Sequence, residues 1–107
     1  MIENILLILF GIGIISLGIT NVKGNISSIH WYNRKKVTPE NAGKYGKIMG
    51  IGTIIIGIAI VITQVILLIF PLSAVWSIVA AVICAISCLV GITLMIYAQF
   101  KYNKGIF

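Results

Sequence analysis

The sequence predicts an all-α integral membrane protein with three transmembrane helices, the last two forming a tight antiparallel hairpin. Three observations carry this: two long stretches without a charge, a proline inside the second, and a cluster of cations between them. Asn4 to Val22 is one such stretch and Ile48 to Phe100 the other. A helix needs about 20 apolar residues to cross a hydrocarbon core of about 30 Å. The first stretch fits once. The second would run about 80 Å as one helix at 1.5 Å per residue, so it must fold back.

Composition points the same way. Of 107 residues, 60% are hydrophobic and 9% charged, and the mean hydropathy is +1.14. Soluble domains carry about a quarter charged residues, so this chain could not cover a globule with polar surface. One domain is the most this length supports.

The first span is expected over 3–22. It carries Glu3 and no Lys or Arg at its start, and no small-residue cleavage site follows, so it reads as a retained span and not as a signal peptide. Asn4, Gly11 and Gly18 are seven apart and share one face. Lys23-Gly24-Asn25 places a cation and a glycine where a helix ends.

The basic loop, 23–46, holds Lys23, Arg34, Lys35, Lys36 and Lys44, with Lys47 just beyond; Lys101 and Lys104 follow the third span. Cytoplasmic loops carry the Lys/Arg excess. With three spans the loop and the C-terminus share a side, so both clusters are expected in the cytoplasm of a plasma-membrane protein and the N-terminus outside. The sequence pI is about 9.6. A polybasic stretch beside a span serves topology and anionic headgroups, so nucleic acid is not expected as a partner. His30, Trp31, Tyr32 and Asn33 precede Arg34-Lys35-Lys36, and rings followed by cations suit a segment lying among headgroups. Ile26, Ile29 and Val37 would be its lipid-facing side.

Thr38-Pro39-Glu40 reads as a helix start, so the second helix is expected near Pro39 with its span over 47–70. Pro71 breaks the long stretch, because proline lacks a backbone donor and clashes with the preceding turn. Ser73 is then placed to cap the third span, 73–100. Small residues line one face of each of these two helices. Gly46, Gly50 and Gly57 lead to Gln64 on the second; Ala81, Cys84, Cys88 and Gly91 lie on the third. Small residues let membrane helices approach closely, so these two stripes are expected to face each other.

Reactive chemistry is hard to find. Glu3 and Glu40 are the carboxylates, and the topology puts them on opposite sides, which excludes paired acid–base work in one chain. His30 is the lone histidine. Cys84 and Cys88, four apart on one helix, read as small apolar packing residues rather than metal ligands. Gln64 reads as an interhelical hydrogen-bonding group. No enzyme, metal or cofactor is expected. The remaining readings are a protein that binds another membrane protein or toxin, or a homo-oligomeric channel or small transporter.

The stretch IHWYNRKKVTPENAGKYGKIMG resembles an uncharacterised family of three-span bacterial membrane proteins of about a hundred residues. Tyr32 and Asn33 match its element after span one, and Lys47, Met49 and Gly50 match its Lys-x-Met-Gly entry into span two. Arg34 stands where that pattern has a small polar residue. The family is loosely similar to membrane-embedded immunity proteins that protect bacteria against their own secreted toxins. The resemblance implies a guard or accessory role with a toxin or membrane-protein partner.

Overall fold

A computed structural model describes residues 1–29 and 34–105. Among these, three helices follow in order: α1, Ile2–Val22; α2, Ala42–Ile69; and α3, Ala74–Tyr102. Each is long and apolar enough to cross a membrane, and no strand is present among the described residues. At 1.5 Å per residue they are about 32, 42 and 44 Å long, and the chain is 49 Å along its longest axis. The fold is that of a multi-pass membrane protein.

Local signals set the ends. Gly24, at φ +100°, closes α1. Its N–H donates to Asn21 O at 2.9 Å and that of Asn25 to Thr20 O at 3.1 Å, the two bonds of a Schellman motif. Ser73 caps α3, its Oγ accepting from Trp76 N at 3.2 Å. Beside the Pro71 turn the rings of Phe70 and Trp76 stack at 4.6 Å. The second helix starts at Ala42, not near Pro39: the amide of Asn41 bonds back to Thr38 O at 3.0 Å, which makes 38–41 a separate turn.

Helix α2 is the centre. It packs antiparallel against α1 on one side and α3 on the other, while α1 and α3 scarcely touch. The expected hairpin of α2 and α3 is present, but the glycine stripe of α2 does not face it. Gly46, Gly50 and Gly57 lie against α1. A Cβ on Gly46 would come within 2.5 Å of Asn21 O, one on Gly57 within 2.9 Å of Gly11 O, and one on Gly50 would collide with Gly18 O. Helix α3 instead meets α2 where Gly91 crosses Gly52; a Cβ on Gly52 would lie 2.6 Å from Gly91 O. At 100° per residue the two contact faces of α2 are about 130° apart. A wedge therefore remains between α1 and α3, with Met49 and Thr53 on its floor.

Candidate functional site

Polar residues gather at the loop end of this wedge. The Schellman turn directs the chain back over α1, and Asn21, itself buried, holds it there. Its Nδ2 donates to Asn25 O at 2.8 Å and to Ser28 Oγ at 2.9 Å. Asn25 Oδ1 accepts from the amide and hydroxyl of Ser27. Ile29 N donates to Ile26 O at 3.0 Å, and Arg34 Nε donates to Ile29 O at 2.8 Å. The guanidinium is thereby held beside the loop's own backbone.

The far side of the loop is tied to α3. Asn103, fully buried, accepts from Lys36 N on Oδ1 at 2.8 Å and donates through Nδ2 to Gly105 O at 2.9 Å. One helix inward, Tyr45 Oη donates to Gln99 Oε1 at 2.6 Å, linking α2 to α3. Tyr45 is also within electrostatic reach of Arg34. Under the loop, Tyr45, Met49 and Ala98 form an apolar core on which Ile26, Ile29 and Val37 pack. Those three side chains turn inward, where lipid contact was expected. The reason is the Asn103–Lys36 and Asn21–Ser28 bonds, which draw the loop down onto the helix ends.

Beneath Ser28 and Ile29 a cleft of about 460 Å³ opens between α1 and α3. Leu17 and Asn21 form one wall, Ile92, Met95, Ile96 and Gln99 the other, and Met49 and Thr53 the floor. Its walls are apolar, and its polar groups, apart from Thr53, sit at the loop end. Leu17, Ile92 and Ile96 are each about half exposed, so the opening faces sideways, toward the bilayer.

The sequence-derived site residues fall unevenly on this arrangement. His30, Trp31, Tyr32 and Asn33 lie outside the described residues. Arg34 is half-buried, whereas Lys35 and Lys36 are exposed. Lys44, Lys47, Lys101 and Lys104 are exposed at the same end, and Lys101 Nζ donates to Tyr97 Oη at 3.0 Å between the rings of Tyr97 and Tyr102. Gln64 is remote from the loop; its Oε1 accepts from Asn4 Nδ2 at 2.8 Å, joining α2 to α1. Gly91 is buried against α2, but Cys84 and Cys88 are half-buried free thiols, and Ala81 is exposed. The expectation that Ala81 packs on α2 is thus corrected: the inward face of α3 shares Gly91 with the expected stripe but is rotated from it, carrying Ala80 in place of Ala81, together with Ala98.

Asn21, Tyr45, Gly52, Gln99 and Asn103 were missed in the sequence reading. Gly52 stands seven residues from both Tyr45 and the buried Ala59, a second heptad line on α2 that could have been read. The amides at 21, 99 and 103 resemble ordinary polar flanks of a span, and only the folding of the loop makes them partners. Among the described residues no group of three or more His, Cys, Asp or Glu stands close enough to hold a metal ion.

Fold and site together define a three-helix, all-α membrane protein whose organised polar surface lies at the loop end. No protein-family model, curated protein or solved structure matches the chain.

Proposed function

We propose that this is a non-enzymatic small bacterial membrane protein that acts by binding another membrane protein or a toxin at its loop end. The observation that carries the reading is the anchoring of the loop. Lys36 is fixed by its backbone to Asn103, and Arg34 by its side chain to Ile29 O. A basic segment that served topology alone needs no such fixing, because the positive-inside effect depends on charge and not on conformation. A preorganised cationic surface, in contrast, loses less freedom on meeting a partner. The partner's matching feature is an acidic juxtamembrane segment. Immunity to a membrane-active toxin is one form of this role, in keeping with the family resemblance; an accessory subunit of a larger complex is another. The loop and C-terminus lie in the cytoplasm, with the Pro71 turn outside the plasma membrane.

The test is photo-crosslinking in native membranes from position 36, in cells where cysteine labelling has placed 36 inside and 72 outside. A defined adduct with a second membrane protein or a toxin is expected. Replacing Trp31, Tyr32 and Asn33 with alanine, every Lys and Arg retained, should abolish the adduct and leave the labelling unchanged. Adducts with lipid or with a second copy alone would overturn the reading.

A further inference from the structure

The wedge between α1 and α3 has a built end and an open side, and it differs from the cationic surface above it. Its walls are aliphatic: Leu17 from α1 faces Ile92 and Ile96 from α3, over Met49. Its loop end is polar, with Asn21, Ser28 and Gln99. Ile29 contributes to the lining at that end, and its carbonyl holds the Arg34 side chain at 2.8 Å. Only Nε of Arg34 is used in that bond; its terminal nitrogens make no hydrogen bond among the described residues. The cleft thus combines an apolar trough open to lipid with a cation held on the backbone of Ile29, one of its lining residues.

We propose that this cleft is a binding site for one anionic phospholipid, with an acyl chain in the trough and the phosphate on Arg34. Three features of the site select this occupant. The volume, about 460 Å³, suits a small apolar ligand. Apart from Thr53 its walls below the loop end are apolar and one side is open, so a flexible acyl chain can enter from the bilayer without parting the helices. A guanidinium pairs phosphate oxygens in a bidentate fork, and Arg34 is held beside the loop end of the cleft by its Nε bond to Ile29 O. The site shares Arg34 with the partner surface proposed above, but its trough of Leu17, Met49, Ile92 and Ile96 is separate from that surface, so the tryptophan variants below test the lipid site alone.

The test is native mass spectrometry of the full chain, released from detergent with phosphatidylglycerol or phosphatidylcholine added at equal concentration. One phosphatidylglycerol per chain is expected to survive, held at least tenfold more tightly than phosphatidylcholine. Arg34→Gln should lower phosphatidylglycerol retention about tenfold, the lower end of what a charge-assisted hydrogen bond contributes, and bring the two lipids level. Ile92→Trp should fill the trough and remove retention of both. Leu17→Trp does the same from the opposite wall, so a folding defect in one variant does not decide the result; helix content and melting temperature are recorded for each. Equal retention of the two lipids by the wild type would overturn the proposal. So would retention undiminished in both folded tryptophan variants, or a wild type whose cleft is closed by a second copy.

Discussion

Against α1, helix α2 presents Gly46, Gly50 and Gly57, with Gln64 one heptad on; against α3 it presents Tyr45 and Gly52, with the buried Ala59 continuing the same spacing. The first face is backbone on backbone over almost three heptads, ending in the Asn4–Gln64 amide pair at the turn end. The second has one glycine crossing, Gly52 on Gly91, and places its hydrogen bond, Tyr45–Gln99, at the loop end. Lipid tails are as apolar as leucine, so neither contact is driven by hydrophobic burial; closeness of approach and interhelical hydrogen bonds decide. The longer glycine face therefore makes α1–α2 the tighter pair. Helix α3 has its hydrogen bond to α2 at the loop end, where the cleft and the anchored loop also lie.

The sharpest break of this comparison is to add bulk to each face separately. Gly50→Leu pushes α1 away, and Gly52→Leu pushes α3 away, each at about 1–3 kcal/mol for overpacking. Spin labels at the exposed positions 6 and 62 should move apart in the first variant only. Labels at 62 and 82 should do so in the second only. Gly13→Leu is the control, since nothing lies within 4 Å of a Cβ there. Coincident widening of both pairs in either variant would show that the two faces are not separable.

A smaller effect sharpens the α3 side. Tyr45→Phe deletes the hydroxyl from a fully buried ring and removes its bond to Gln99. A net loss of about 1–2 kcal/mol is expected in thermal unfolding, because Gln99 keeps a buried amide deprived of one partner. If Asn103 and Lys36 hold the loop end by themselves, the melting temperature will stay where it was.

The three spans, the Pro71 break, the Schellman end of α1 and the Ser73 cap were all legible, because each rests on chemistry within a few residues. What the small-residue stripe could not say is which helix it meets. It marks a face of α2, and the short turn at Pro71 made α3 the obvious neighbour. The answer was nonetheless written in α1. Asn4, Gly11 and Gly18 repeat at seven, and so do Gly50, Gly57 and Gln64 in the opposite direction, an amide at the same end of each. The cleft was not legible at all. It exists because two faces of one helix diverge by about a third of a turn, and no local pattern reports on the space left between their partners.

The smallest effect tests whether that amide match specifies the pairing or merely decorates it. Asn4 lies in the first turn of α1, and Gln64 five residues from the end of α2. Both are half-buried, near the turn-side ends of the helices and not at the centre of the span. Water and headgroups are within reach when either partner is lost, so the penalty for an unpaired amide is low. Interhelical hydrogen bonds in membranes average about 0.6 kcal/mol by double-mutant cycles. The cycle Asn4→Leu, Gln64→Leu and both together should return a coupling of that size in unfolding from mixed micelles. The spin-label distance between 6 and 62 should be unchanged in the double variant, because the glycines already fix the approach. A coupling well above 1.7 kcal/mol, the upper end of such measurements, would mean that the pair sets the register of α1 on α2 and the glycines only follow it.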